Sequence, residues 1–162
     1  MSLRAATAAD AGAVAALWNA MIRDTLATFT TEEKTPAGIA ALIAERPGAF
    51  VLAEAAGAVR GFASYGAFRP GPGYAATGEH TVVVAPGAAR QGVGTALMDR
   101  LERQAAAAGL RQMVAGISSA NPGAVAFHAA RGFVQVGLLP EVGFKAGRRL
   151  DLILMQKSLA RR

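Results

Sequence analysis

The run Ala89-Arg90-Gln91-Gly92-Val93-Gly94 has the composition of an anion-binding turn. Glycines let the backbone turn tightly and come close to a ligand. Where a helix begins just after them, the unpaired N–H groups of its first turn and its dipole favour an anion such as a pyrophosphate. Two glycines with one residue between them are equally the mark of a simple turn with no ligand. The spacing lacks the further glycine of a dinucleotide site and the Gly-Lys-Ser/Thr ending of a nucleotide-hydrolysing loop, which argues against both. Other chemistry-bearing residues are few. The chain has no cysteine, hence no disulfide, no thiolate-ligated metal and no thiol to carry an acyl group. With His80 and His128 as the only histidines, no metal site is expected. Glu79 opens the segment Glu79-His80-Thr81-Val82-Val83-Val84. If that segment is a strand, Glu79, Thr81 and Val83 face one side and His80, Val82 and Val84 the other.

The elements that must position these residues follow from local signals. Leu3 to Ala6 reads as a short strand, and Thr7 with Asp10 forms a capping signal ahead of Val14, Leu17, Trp18, Met21 and Ile22, a first helix. Thr35-Pro36 opens a second, short helix through Ile39, Leu42 and Ile43 that Pro47 stops. Phe50–Glu54 and Val59–Gly66, joined at Gly57, predict an antiparallel hairpin. Arg69-Pro70-Gly71-Pro72-Gly73 cannot continue a sheet and predicts a surface loop of the kind that borders sites. The strand Glu79–Val84, the glycine turn and a helix from about Gly94 to Ala108 form one unit. Leu110–Ile117 is a further strand, Asn121-Pro122 caps a helix through Ala130, and Phe133–Gly137 and Leu150–Met155 close the sheet.

At 162 residues the chain is sized for one domain, 1–162, with one core. It is 52% apolar and 17% charged, which argues against disorder, and no stretch approaches the ~18 uninterrupted apolar residues of a membrane span. A soluble protein with no membrane association is expected. The start, Met1-Ser2-Leu3-Arg4, shows no secretory signal, which points to the cytoplasm. The net charge of +6 is scattered rather than gathered into a stripe, and only 6% of residues are aromatic, so no nucleic-acid partner is expected. A ligand carrying several phosphates fits a moderate positive excess, as does simple solubility.

Taken in order, the strand Thr81–Val84, the loop Arg90-Gln91-Gly92-Val93-Gly94, the helix start Thr95-Ala96-Leu97-Met98, Asn121-Pro122, Phe127-His128 and Arg131-Gly132-Phe133 resemble the GNAT superfamily of acetyl-CoA-dependent N-acetyltransferases over nearly the whole chain. The resemblance implies an α/β (α+β) fold: a mixed, mostly antiparallel sheet flanked by helices and splayed after its fourth strand. Pantetheine would lie in the gap and pyrophosphate on the glycine loop. Acetyl-CoA is then the acetyl donor, with Val82, Val83, Val84, Arg90, Gln91, Gly92, Val93, Gly94, Thr95 and Asn121 as its expected contacts. Ala89 departs from the Arg or Gln usual at the first loop position. Outside the loop, Ala27-Thr28-Phe29, Tyr65-Gly66, Phe68-Arg69, Tyr74, Thr77, Glu79-His80-Thr81-Val82 and Val142-Gly143-Phe144-Lys145 look like the phosphinothricin and methionine sulfoximine acetyltransferases. That narrower likeness implies an amino-acid-like amine as substrate and a homodimer with the amine site near the subunit boundary.

An amine must be neutral to attack a thioester, so a base or a water relay is required. Glu79 is the candidate, on the strand whose backbone would hold the thioester. His128, where many GNAT enzymes place a tyrosine beside the cofactor sulfur, is the candidate acid for the departing thiolate; its other reading is a packed structural histidine, and His80 is read as structural. Backbone N–H groups around Val82–Val84 would face the oxyanion. Phe29 and Tyr74 are candidate pocket walls, and Arg69 and Lys145 candidate cations for a carboxylate. Ala75, Gly78, Ala146 and Arg149 depart from the narrower family on the substrate side. With no cysteine, transfer is expected directly within a ternary complex. Two readings compete: a GNAT acting on another amine, such as a polyamine or aminoglycoside, and a non-catalytic acyl-CoA-binding module.

Overall fold

A computed structural model describes residues 1–159; the last three of the 162 residues assigned to the domain lie outside it. Seven strands, β1 (Ser2–Ala5), β2 (Phe50–Ala55), β3 (Ala58–Ala67), β4 (Thr77–Val84), β5 (Gln112–Ser118), β6 (Val134–Lys145) and β7 (Arg148–Ser158), form one sheet in the order β1-β2-β3-β4-β5-β7-β6. Every neighbouring pair is antiparallel except β4 and β5, which run parallel. Four helices flank it: α1 (Ala11–Asp24), α2 (Pro36–Glu45), α3 (Val93–Ala107) and α4 (Pro122–Ala130). None is long and apolar enough to cross a membrane among the described residues.

Alternation along the strands divides the core into two layers. Phe50, Leu52, Phe62 and Val83 face α1 and α2 and meet Val14, Ala15, Ile39 and Ile43. Val51, Ala53, Ala63, Met113, Ala115 and Met155 face the other way and pack on Val93, Leu97, Met98 and Leu101 of α3. The helix starts follow the sequence signals: Thr35 accepts from the Gly38 N–H at 3.0 Å ahead of Pro36, and Asn121 accepts from the Ala124 N–H at 3.3 Å ahead of Pro122.

The feature that matters for a site is the parting of the sheet. β4 pairs with β3 from Gly61↔Val84 to Ala67↔Gly78. With β5 it pairs only at Thr77↔Gln112, Gly78↔Met113 and Glu79↔Val114. Beyond Glu79 the two strands separate, so alternate backbone groups of His80–Val84 have no strand partner on the β5 side. The splay expected after the fourth strand is present.

The closing strands are longer than the sequence suggests. Pro140, Gly137 and Gly143 read as breakers, yet β6 runs past all three because it is the edge of the sheet. Its register breaks between Gln135 and Gly137 and again between Leu139 and Gly143, and the second break holds Pro140 and a Glu141 with φ 54°. Asp151 of β7 secures it, accepting from the Glu141 N–H at 2.8 Å. An edge strand tolerates a proline and a bulge because one side of its ladder has no partner to lose.

Gly61 packs β3 under α3: a Cβ there would meet the Val83 carbonyl oxygen at 2.8 Å and Leu97 Cδ1 at 3.1 Å. The first of these is backbone and cannot swing aside. Gly61→Ala should lower unfolding free energy by roughly 1–3 kcal/mol, read as a lower urea midpoint at unchanged slope; an unchanged midpoint would refute this account of the packing.

Candidate active site

The separation of β4 from β5 opens a cleft of about 290 Å³, closed on one side by α1 and the segment that follows it and on the other by the start of α4. Glu79, Thr81, Gly116, Asn121 and His128 line it together with Trp18, Thr28, Thr30 and Lys34.

Glu79 is the first residue past which β4 has no neighbour on the β5 side. Its carboxyl group has no hydrogen-bond or ion-pair partner among the described residues, and partial burial alone raises its pKa above the ordinary glutamate value. Gly116 of β5 makes room for it: a Cβ at Gly116 would lie 3.0 Å from Glu79 Oε1. Sequence reading gave no sign of Gly116, since a glycine within a strand has many causes.

His80 points to the opposite face of β4, as alternation requires, and there meets His128 of α4 with Nε2 to Nε2 at 2.9 Å. The Ala124 carbonyl accepts from His128 Nδ1 at 2.7 Å. His128 Nε2 is therefore the acceptor in the neutral ring, and His80 donates to it. Burial, the neighbouring histidine and Arg131 push the His80 pKa down to about 3, and burial also lowers that of His128, so both rings are neutral at ordinary pH. The pair is packed against Phe133 and ties β4 to α4 across the gap.

The glycine loop precedes α3 as expected, with the helix beginning one residue earlier, at Val93. Gly92 is the residue before the helix, with φ 76°, and brings no side chain to cap it. The first-turn N–H groups of Val93, Gly94 and Thr95 are thus left for a ligand. Arg90 also has positive φ, 60°, a conformation that costs a non-glycine residue roughly 1 kcal/mol. Left-handed residues at alternate positions curve the backbone into a concavity of N–H groups suited to phosphate oxygens. The Arg90 and Gln91 side chains are exposed around it, whereas Val93 is buried in the core. Phe127 of α4 lies against Gly94, 3.4 Å from where a Cβ would be. Val82 lines the cleft, Val83 is buried under α1, and Val84 packs on Gly94. Asn121 caps α4 with its side chain and also lines the cleft.

The four expected substrate contacts are not brought together. Arg69 and Tyr74 line a separate groove of about 250 Å³ with Arg46, Tyr65 and Ala75, at the loop end of the β3–β4 hairpin. Lys145 is buried, and its ammonium donates to the carbonyls of Ile22 at 2.6 Å and Thr28 at 2.9 Å. It holds the end of α1 and the segment after it, which corrects its reading as a cation free to meet a substrate. Phe29 stacks on Gly143 of β6, where a Cβ would come within 2.5 Å of the ring, and does not line the cleft. Its neighbours Thr28 and Thr30 do. Sequence reading missed these two and Lys34, which lie on a connection whose path depends on distant anchors, and Trp18, which reads only as an apolar residue of the first helix.

Residues 15–133 match the model of the acetyltransferase (GNAT) family. The chain is 38% identical to an L-methionine sulfoximine/L-methionine sulfone acetyltransferase of Pseudomonas paraeruginosa, over 98% of this chain and 94% of that one. It is 36% identical to the L-amino acid N-acyltransferase MnaT of Escherichia coli, over 100% and 96%. Among solved structures it is similar to a phosphinothricin acetyltransferase of Sinorhizobium meliloti in complex with acetyl-CoA, with a TM-score of 0.91 and 34% identity over 97% and 87% of the two chains.

The glycine loop carries a direct test. Gly92→Asp adds a carboxylate at the left-handed position facing the expected phosphates, and should weaken acetyl-CoA binding by at least tenfold while the strain at this positive φ costs roughly 1 kcal/mol of stability; calorimetric titration of the folded variant measures the affinity, and normal affinity would refute it. An open strand edge, a phosphate-suited loop and an unpaired glutamate between them agree with the family match: the chain belongs to the GNAT acetyltransferase family and is an acetyl-CoA-dependent N-acetyltransferase.

Proposed function

We propose that the chain moves the acetyl group of acetyl-CoA directly to the amine of a small amino-acid-like substrate of the methionine sulfoximine or phosphinothricin type. The observation that carries this reading is the Glu79 carboxyl group: open to the cleft, without a partner, raised in pKa by partial desolvation, and placed where β4 loses its neighbour. The names of the relatives support the class of amine.

In this reading Glu79 accepts the proton of the substrate ammonium, directly or through one water, and so frees the nitrogen lone pair. The new C–N bond forms as the thioester carbonyl becomes an oxyanion, which open N–H groups of the Val82–Val84 stretch stabilise. The C–S bond then breaks as the nitrogen sheds its remaining extra proton to water or to the departing thiolate. The leaving thiolate, whose thiol has a pKa of about 8.5, needs little protonic help. We therefore assign the neutral His128, whose one N–H is held by Ala124, to positioning rather than to proton donation. Arg90, Gln91 and the N–H groups from Gly92 to Thr95 are assigned to the pyrophosphate, and Asn121 to the cofactor arm in the cleft.

We further propose a homodimer through β6. This edge strand exposes Val134, Val136, Leu138, Val142 and Phe144, each more than half accessible, a density of apolar side chains that a monomer's edge strand rarely leaves bare. The pair Val136→Asp and Leu138→Lys should turn a particle of twice the chain mass into a monomer in sedimentation equilibrium. A wild-type protein that is monomeric at micromolar concentration would refute the proposal.

The test of the function is a screen of amines, with release of free thiol from acetyl-CoA as the readout. Acetylation of L-methionine sulfoximine, L-methionine sulfone or phosphinothricin is expected; a strong preference for a polyamine or aminoglycoside would replace the substrate class, and no turnover with any amine would favour an acyl-CoA-binding module. Glu79→Gln should lower turnover by ~10²-fold or more with little change in acetyl-CoA affinity. Because the working form is the carboxylate and its pKa lies above the ordinary glutamate value, kcat/KM should fall as pH drops through that raised pKa. That acid limb should be missing in Glu79→Gln.

A further inference from the structure

The cleft contains one cation that the reaction as described does not use. Of the residues that line it, only Glu79 and Lys34 carry a full charge at neutral pH, and they have opposite signs. Lys34 lies in the connection between α1 and α2, yet it is held firmly. Asn19 of α1 clamps its backbone from both sides, donating from Nδ2 to the Lys34 carbonyl at 2.8 Å and accepting from the Lys34 N–H at 2.6 Å. The side chain runs back across Trp18, with Nζ 4.8 Å from the ring centroid, and Trp18 is itself packed on Phe62 of the core at 5.3 Å. Among the described residues the ammonium makes no hydrogen bond or ion pair with any carboxylate. Arg23 engages the adjacent Glu33, which removes the nearest acid in the sequence from competition.

We propose that Lys34 is the anion partner of the amine substrate, fixing the carboxylate of an amino acid while Glu79 takes up its ammonium proton. The inference rests on the amino-acid reading above and deepens it. A zwitterion bears one charge of each sign a short distance apart, and the cleft offers one of each. Burying a carboxylate unpaired is unfavourable, so a productive pocket must supply a cation or several donors. The alternatives are occupied or elsewhere: Lys145 is held by Ile22 and Thr28, and Arg46 and Arg69 line the other groove. The aromatic face and the Asn19 clamp fix the lysine in advance, so little side-chain freedom remains to be lost on binding.

Trp18 is the chain's one tryptophan, and its contact with Lys34 makes it a reporter of that ammonium independent of turnover. The probes are L-methionine sulfone and its primary carboxamide, which keeps the amine and loses the anionic charge. Saturable change of Trp18 fluorescence with the sulfone is expected in the wild type, weakened about 10- to 100-fold in Lys34→Met and within threefold of wild type in Lys34→Arg. The carboxamide should bind wild type and Lys34→Met equally weakly. Lys34→Met retains the aliphatic stem over Trp18, and its acetyl-CoA affinity should be unchanged, which certifies a folded variant. In turnover the substitution should raise KM for the sulfone with kcat within about threefold. An equal effect on sulfone and carboxamide, no effect on either, or no binding of the sulfone to the wild type would each overturn the assignment. Lys34-dependent binding of the sulfone without thiol release from acetyl-CoA would instead leave Lys34 as the anion partner and sink the acetylation of amino acids.

Discussion

Almost everything in this site follows from β4 having only one complete partner. A strand inside a sheet normally satisfies its backbone on both sides, and an interior strand that loses one neighbour exposes unpaired N–H and C=O groups in the middle of the fold. Here β5 leaves β4 after three paired positions, while on its other edge it stays paired with β7 along its full length, from Gln112↔Ser158 to Ser118↔Leu152. The opened edge would be a defect in a protein with no ligand to fill it. In a protein that binds a flexible, amide-bearing thioester it is a row of donors and acceptors already oriented. The remaining elements keep the gap open at one width: His80 and His128 join β4 to α4 across it, and Gly116 leaves β5 thin where the Glu79 carboxyl lies.

The same gap explains the electrostatics. A carboxylate at the end of the paired stretch is partly desolvated by the cleft without gaining a hydrogen bond, and that alone raises its pKa. A glutamate held by arginine would be a weaker base; Asp10 and Glu54 show that case, both lowered by Arg4. The two histidines go the other way. Burial favours their neutral forms, and a hydrogen bond between two rings requires at least one to be unprotonated, so the link between β4 and α4 is lost only when both rings are protonated.

Much of this was legible in the residues. The glycine loop before α3, the Asn121-Pro122 cap and the orientation of Glu79 away from His80 all depend on local rules: turn chemistry, capping and period-2 alternation. What was not legible depends on contacts between distant segments. The length of β6 was hidden because Pro140 and two glycines look like terminators unless the strand is known to be an edge. Arg69 and Tyr74 fit a family pattern in sequence, yet the loop they occupy folds over the end of the β3–β4 hairpin and not into the cleft. Lys34 sits just before a helix cap and reads as a surface charge; only the clamp by Asn19 and the face of Trp18 bring it inward. A single sequence carries no signal for such an anchor.

The connection between α1 and α2 also shows how the edge of the sheet bears on the centre. Three of its anchors come from outside the segment: Asn19 from α1, and from β6 both Lys145, through the Thr28 carbonyl, and Gly143, through the bare backbone on which Phe29 rests. Two of the three thus belong to the strand whose other residues, Val134, Val136 and Leu138, lie exposed at the molecular edge. A β6 free to fray would loosen the seats of Thr28 and Phe29, and with them one wall of the cleft. A lone edge strand interrupted by a proline and two register breaks is the kind of element that opens locally at low cost. Covering its outer side would hold its inner side in register, so an apolar edge facing outward and a pinned substrate wall facing inward are two demands on one strand.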